Sequence, residues 1–164
     1  MKKKDLLLLL LCVFVTEFAG FIGSIYNITS LTTWYRVLQK SPLNPPDWVF
    51  APVWIILFLL MGVSLFMVIR AGHRKFFGPS RLFHPALIAF FIQLILNIFW
   101  TFIFFYLRSP FSAFIEILFL IAAIIVTMYY FYRLKPAAAY LLIPYLVWVI
   151  FAGYLNLSFY LLNS

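Results

Sequence analysis

Charged residues are scarce in this sequence: Asp, Glu, Lys and Arg make up 10% of its 164 residues, and 4 residues are acidic. Soluble domains carry about 25% charged residues, so the composition excludes an ordinary water-soluble fold. Cysteine and histidine are nearly absent too, with 1 and 2 residues. The chain has no Cys or His cluster with zinc spacing, no glycine-rich phosphate loop and no Ser, His and Asp set. We therefore expect no metal site and no conventional hydrolytic or redox catalysis.

Apolar residues, by contrast, make up 66% of the chain, and the mean hydropathy is +1.09. A helix needs roughly 20 apolar residues to cross a bilayer, whereas a membrane barrel shows alternating segments of about ten residues. The sequence predicts an all-α membrane protein, a five-transmembrane-helix bundle that forms a single domain over residues 1–164. The five predicted spans are about 6–28, 49–69, 83–107, 111–132 and 137–162.

The basic residues lie between the apolar runs rather than on one soluble face. If successive connections alternate between the two sides of the membrane, nine basic residues lie on one side. The other side has three, Arg36, Lys40 and Arg108. The positive-inside rule then predicts a cytoplasmic N-terminus and an outside C-terminus. The first run is long for a cleaved signal peptide and lacks its cleavage pattern, so we expect it to stay as a span. Topology explains the net charge of +8, and we expect lipid, not nucleic acid, as partner, in a bacterial plasma membrane.

The connection between the first two runs covers about residues 27–47, which is long for a compact membrane domain. Pro42, Pro45 and Pro46 stiffen this segment and limit its backbone hydrogen bonds. A long, stiff loop next to a helix bundle is typical of a lid over a binding site. We interpret the segment as such a lid.

Two acidic residues, Glu17 and Glu116, lie inside apolar runs, where a charge is costly. A proton or ion relay is one interpretation, but a relay needs a chain of partners. Structural pairing, for Glu116 with Arg108 or Arg36, or burial in the neutral form is favoured over a relay.

Aromatic residues recur at helical spacing on three of the predicted spans. Phe50, Trp54 and Phe58 share one face of the second span, since they lie four residues apart. Similar stripes are Asn97, Trp100, Thr101 and Phe104 on the third span and Trp148, Ala152 and Leu155 on the fifth. Such stripes are typical of packing, and equally of an apolar pocket with few polar groups for a flat lipophilic ligand.

Three strings of residues, in the same order along the chain, resemble the translocator protein (TspO/MBR) family. Its members include the tryptophan-rich sensory proteins and the peripheral-type benzodiazepine receptors. The strings are Trp34-Tyr35-x-x-Leu38-x-Lys40 with Pro45-Pro46-x-Trp48-Val49 and Pro52-Val53-Trp54, then Gln93-Leu94-x-Leu96-Asn97-x-x-Trp100, then Pro144-Tyr145-Leu146-x-Trp148. The chain departs from the family at Lys40-Ser41-Pro42-Leu43, where one loop tryptophan is missing.

The resemblance implies a five-helix bundle, often a homodimer, with a pocket under the first loop. Known ligands of the family are porphyrins and other tetrapyrroles such as haem, sterols in animal members, and synthetic isoquinoline or benzodiazepine-type compounds. No cofactor is implied. Carried over by position, the pocket residues are Tyr35, Pro45, Phe50, Trp54, Phe58, Asn97, Trp100, Thr101, Trp148, Ala152 and Leu155. Arg36, Lys40 and Arg108 share the side of the lid, so they are candidates to contact porphyrin propionates.

Two functions follow as hypotheses from this resemblance. The first is a binding protein that acts as a tetrapyrrole sensor, scavenger or carrier. The second is a light- and oxygen-dependent porphyrin-degrading enzyme in which Trp54 and Trp148 take part in catalysis. For a dimer, Ala19 with Gly23 or Gly20 with Ser24 offers a small-x-x-x-small surface, although both pairs equally suit packing within the bundle.

Overall fold

The computed structural model describes residues 3–74 and 81–164, and within these ranges every regular element is a helix. Residues 1–2 and 75–80, which include Lys2 and Lys75 of the predicted cytoplasmic charge, lie outside the described residues. In chain order the elements are α1 (Lys3–Thr32), α2 (Trp34–Val37), α3 (Asp47–Arg74), α4 (Phe83–Thr101), a π-helical turn (Phe102–Tyr106), α5 (Pro110–Leu134), α6 (Pro136–Tyr140) and α7 (Ile143–Asn163).

Five helical stretches are long and apolar enough to cross a membrane, which confirms the predicted five-helix membrane bundle. They are α1, α3, α4 with the π turn, α5, and α6 with α7, and their mean hydropathy lies between 1.9 and 2.6. Three of the helices, α5, α6 and α7, start with a proline in the first turn. Proline is favoured there because the first N–H groups of a helix have no partner inside it.

The loop between the first two spans is shorter than the predicted range 27–47. Helix α1 continues to Thr32 and α2 follows it, so residues 38–46 are the irregular part. The extra turn of α1 contains neither proline nor glycine, so nothing in its sequence stops the helix. The hydroxyl of Ser30 donates a hydrogen bond to the Phe105 carbonyl, which fixes this end of α1 against the π turn.

Two predicted spans are interrupted helices. The span 83–107 ends in the π turn, after which Arg108 takes a positive φ of 52° and reverses the chain. The span 137–162 consists of α6 and α7, separated at residues 141–142. Pro144 explains this break, because its ring lacks an N–H and clashes with the carbonyl four residues earlier in a continuous helix.

Helices α1 and α3 are tightly packed from the middle of the bundle to the end remote from residues 38–46. The Thr16 hydroxyl donates to the Phe58 carbonyl over 2.8 Å, and an ion pair of 3.3 Å joins Arg70 to Asp5. Further along α3, the Ser64 hydroxyl donates to the Ala138 carbonyl of α6 over 2.7 Å. These contacts fix α3 between its neighbours, and they leave the opposite end of the bundle, the loop end near residues 38–46, to form a cavity.

The small residues of α1 face the inside of the bundle. Ala19 is buried, a methyl group added to Gly20 would lie 2.5 Å from the Phe58 ring, and one added to Gly23 would lie 3.2 Å from the Thr101 hydroxyl. Of the two predicted uses of these residues, the structure therefore displays packing within the bundle.

Candidate functional site

A cavity of about 430 Å³ lies at the loop end of the bundle, between α1, α3, α4 with the π turn, and α7, with Tyr35 of α2 at its border. Helix α5 does not contribute to its walls. The lining residues are Glu17, Gly20, Phe21, Gly23, Ser24, Asn27, Tyr35, Asp47, Phe50, Ala51, Trp54, Ile55, Phe58, Asn97, Trp100, Thr101, Phe104, Phe105, Trp148, Ala152, Leu155, Asn156 and Phe159.

Aromatic rings form one continuous wall of the cavity. The Trp54 ring lies 5.5 Å from Phe58 and 5.9 Å from Trp100, measured between ring centroids, and Trp100 stacks on Phe104 at 6.0 Å. Rings at these separations attract one another beyond the apolar area that they bury. The wall therefore presents several aromatic faces in one fixed arrangement.

Two asparagines of the lining hold aromatic residues in place. The Asn97 amide donates to the Tyr145 hydroxyl over 3.1 Å, and the Trp100 indole N–H points to the Asn156 side-chain oxygen at 3.4 Å. Asn156 in turn donates to the Ala152 carbonyl over 2.7 Å. The Trp100 N–H is thus directed to a protein acceptor. Asn156 follows Ala152 by four residues, and this spacing is the sequence signal that would have found it.

Helix α1 forms a second, more polar wall that the sequence analysis did not predict. Glu17, Ser24 and Asn27 line the cavity from this helix, and Gly20 leaves room for the Phe58 ring beside them. Residues seven and three positions apart fall on one face of a helix. The spacing was present in the sequence, but Glu17 stood out there only for the cost of a charge in an apolar run, and Ser24 only as a small residue.

Residues 38–46 are joined to α7 and α3 by polar contacts. The Ser41 and Tyr154 hydroxyls lie 3.0 Å apart, and Gln39 and Asn163 exchange two hydrogen bonds of 2.9 and 3.1 Å. The Lys40 ammonium forms a 3.1 Å ion pair with Asp47. These contacts hold the segment across the loop end of the bundle.

Tyr35 connects this segment to the cavity. Its hydroxyl donates to the Asn44 side-chain oxygen at 3.4 Å, and the Lys40 ammonium lies 4.1 Å from the centre of its ring. Burial raises the pKa of the Tyr35 hydroxyl to about 12, and the negative charge of Asp47 acts in the same direction. The Tyr35 side chain is therefore neutral at physiological pH and offers an apolar ring to the cavity.

The structure brings together all but one of the predicted pocket residues. Pro45 is the exception, since it lies in the loop without reaching the cavity lining. The residues that do reach the lining are Tyr35, Phe50, Trp54, Phe58, Asn97, Trp100, Thr101, Trp148, Ala152 and Leu155. None of the three predicted propionate-contacting residues, Arg36, Lys40 and Arg108, belongs to the lining. Arg36 and Arg108 are exposed, and Lys40 is held by Asp47.

The two acidic residues inside the spans have different surroundings. Glu17 lines the cavity, whereas the buried Glu116 does not. Neither carboxylate oxygen of Glu116 has a hydrogen-bond partner, and the structure forms no ion pair between Glu116 and Arg36 or Arg108. The predicted pairing with these arginines was therefore wrong. Burial in the neutral form, the other favoured interpretation, is compatible with this apolar position.

The cavity also reaches the lipid-facing surface between α1 and α3. Phe21 is 61% exposed and Ile55 is 58% exposed, and both belong to the lining. Each lies on an outward stripe of its helix, with Phe18 and Ile25 beside Phe21. A lipophilic molecule can thus contact the aromatic wall from the side of the bilayer.

The fold and the cavity together define a class: an integral membrane protein of five spanning helices around an aromatic-walled internal cavity. Across the residues that the structure describes, no group of three or more His, Cys, Asp and Glu side chains is placed to hold a metal ion. The model of the TspO/MBR family matches residues 12–161, and the chain belongs to this family.

Individual relatives agree with this assignment. The chain is 39% identical over 160 residues to the tryptophan-rich protein TspO of Chlorobaculum tepidum, covering 98% of both chains. It is 36% identical to a protein of the same name from Archaeoglobus fulgidus, covering 88% of this chain and 90% of that one. It is also 35% identical to the translocator protein of Bos taurus, covering 84% of this chain and 79% of that one.

Proposed function

We propose that this protein is a membrane receptor for porphyrins and related flat, lipophilic tetrapyrroles, which it binds as a sensor, scavenger or carrier. The observation that carries the proposal is the presence of three tryptophans, Trp54, Trp100 and Trp148, in the lining of one cavity. A porphyrin is a flat apolar macrocycle, and stacking on aromatic side chains contributes about 1–3 kcal/mol per nucleic-acid base. Two or three such faces, together with buried apolar area, are enough for roughly micromolar binding.

Lys40 is the cation best placed for a porphyrin propionate. It contacts both Tyr35 and Asp47, and these two residues belong to the lining. Exchange of the Asp47 carboxylate for a propionate keeps the Lys40 charge paired. The macrocycle then lies against the tryptophans, with its acidic edge at residues 38–46.

Light- and oxygen-dependent porphyrin degradation is a second candidate function, favoured by the position of Trp54 and Trp148 on the same cavity. Illumination of the porphyrin complex in air distinguishes it from binding alone. For a receptor we expect the porphyrin absorbance to decay as it does in protein-free micelles. A defined product that disappears in both Trp54→Phe and Trp148→Phe would favour the enzyme instead.

The wider proposal includes orientation, assembly and synthetic ligands. The excess of basic residues on the side of the N-terminus supports a cytoplasmic N-terminus in a bacterial plasma membrane. A homodimer is proposed from the family resemblance alone. Binding of isoquinoline or benzodiazepine-type compounds is proposed from the same resemblance, and such compounds are flat and lipophilic, as porphyrins are.

Filling the cavity with Ala152→Phe tests whether the porphyrin binds there. Ala152 lines the cavity one helical turn after Trp148, so a phenyl ring at this position occupies the space of the ligand without removing an aromatic face. We expect the affinity for protoporphyrin IX, titrated in the dark by its absorbance, to fall about tenfold or more.

Ala122→Phe is the matched control for this substitution. Ala122 is exposed on α5, which does not contribute to the cavity, so the same added volume points to the surface. Its affinity for protoporphyrin IX is expected to equal that of the unaltered protein. Unchanged binding by Ala152→Phe would place the porphyrin elsewhere and refute the proposal.

A further inference from the structure

The cavity carries negative but not positive side chains. Its ionisable carboxylates are Glu17 and Asp47, and no Lys, Arg or His from residues 3–74 or 81–164 belongs to the lining. Asp47 is neutralised by its 3.1 Å ion pair with Lys40, whereas the structure gives Glu17 neither an ion pair nor a hydrogen bond. Glu17 lies midway along the 30 residues of α1, at the depth where an unpaired charge costs most in a membrane.

The other polar side chains of the α1 wall also present acceptor oxygens. The Ser24 hydroxyl donates its proton to the Phe21 carbonyl over 2.7 Å, so that its oxygen can only accept from a ligand. The side-chain oxygen of Asn27 is buried and has no donor in the protein. The side-chain oxygens of Glu17, Ser24 and Asn27 thus form one row of acceptors along a single helix face, and the Asn27 amide adds an N–H donor beside them.

Three side-chain donors of α4 are directed to protein acceptors. Asn97 donates to Tyr145, Trp100 points to Asn156, and the Thr101 hydroxyl donates to the Asn97 carbonyl over 3.1 Å. A ligand in the cavity therefore meets acceptors on α1 and aromatic faces on α3 and α4. A buried acceptor without a donor is costly, so the ligand that supplies the donor gains most.

We infer that the cavity selects flat aromatic molecules that carry a cationic amine or N–H donors on one edge, which is seated against Glu17, Ser24 and Asn27. This inference rests on the proposed ligand cavity and adds the class of ligand. A cation beside Glu17 compensates its charge at low dielectric and also interacts with the tryptophan faces. A carboxylate at the same edge meets like charge and acceptors without donors. An acidic ligand must therefore point its carboxylates out of the cavity.

Three probes of the same ring system test this selection at neutral pH: 9-aminoacridine as the cation, acridine as the neutral molecule, and acridine-9-carboxylate as the anion. Affinities of the full chain are measured by equilibrium dialysis in uncharged maltoside micelles, with uptake by protein-free micelles subtracted. We expect the amine to bind about tenfold or more tightly than acridine, and the carboxylate to bind most weakly. This order of affinities is measured in the unaltered protein, so the test does not depend on the folding of a variant.

Substitutions of the two acids inside the spans assign the selection to Glu17. Glu17→Gln keeps the shape and is expected to reduce the advantage of the amine over acridine to about twofold or less, whereas Glu17→Asp retains most of it. Glu116→Gln is the matched control, because Glu116 also lies inside a spanning helix but does not line the cavity. It should retain the full preference.

Equal affinity for the three probes, no saturable binding of the amine, or a preference that survives in Glu17→Gln would overturn the inference. These outcomes are separable from a failure of the porphyrin proposal. Saturable protoporphyrin binding without selection for the amine refutes only the inference. Selection for the amine that depends on Glu17, without protoporphyrin binding, supports the inference and refutes the porphyrin receptor.

Discussion

Replacement of Trp54 by alanine is expected to weaken protoporphyrin IX binding by about ten- to hundredfold. Trp54 lies at the centre of the aromatic wall, with Phe58 and Trp100 within 6 Å of its ring centre. Truncation removes one stacking face, which contributes about 1–3 kcal/mol in nucleic-acid complexes, and exposes its neighbours to an unfilled space. Titration in the dark, followed by the absorbance of the porphyrin, gives the dissociation constant without relying on tryptophan fluorescence.

Trp48→Ala provides the matched control for Trp54→Ala. Trp48 is 74% exposed in the first turn of α3 and does not line the cavity, so its loss removes the same atoms without removing a wall. Its affinity should match that of the unaltered protein. Trp54→Phe keeps a smaller aromatic face, so its affinity for protoporphyrin IX is expected to lie between those of Trp48→Ala and Trp54→Ala. Equal weakening by Trp48→Ala and Trp54→Ala would show that the aromatic wall is not the binding surface.

Hydropathy was enough to predict the five spans, because a bilayer imposes one length and one composition on every helix that crosses it. The positions at which the helices break and end depended on other interactions. Ser30 extends α1 through a contact with Phe105, 75 residues away along the chain, which no local pattern reveals. The π turn could not be predicted from the sequence either, because an extra residue in a helical turn leaves no distinct pattern in an apolar run.

The aromatic part of the cavity was predictable for a related reason. Trp54, Trp100 and Trp148 lie on stripes of helical period, and these stripes converge on one space. The charge of the cavity was not predictable from the same patterns. Because Lys40 lies on the loop side of the bundle, the sequence suggested that it faces the ligand. The direction of a long side chain depends on its partner, however, and the partner of Lys40 is Asp47. In the sequence, Glu17 stood out because a charge inside the membrane is costly. The residues that surround it could be identified only from the structure.

The close approach of α1 and α3 at Gly62 leads to a prediction for stability. A methyl group added to Gly62 would lie 2.6 Å from the Cα of Val13 and 2.8 Å from the Thr16 hydroxyl. The first of these atoms belongs to the backbone, so relief requires the two helices to separate. Separation also weakens the hydrogen bond from Thr16 to the Phe58 carbonyl. We expect Gly62→Ala to lower the free energy of unfolding in detergent by about 1–3 kcal/mol, measured by thermal denaturation.

Gly153→Ala separates this steric effect from the intrinsic consequences of placing alanine in a helix. Alanine favours the helix over glycine by about 1 kcal/mol at either position. At Gly153, however, the nearest atom to the added methyl group is the Ile117 Cγ2 at 3.0 Å, a side-chain atom that can shift by a few tenths of an ångström. Gly153→Ala should therefore leave the unfolding temperature unchanged or raise it, while Gly62→Ala lowers it. If the unfolding temperature changed in the same way in both variants, α1 and α3 would be able to move apart at little cost in free energy. Their contact would then not set the width of the cavity.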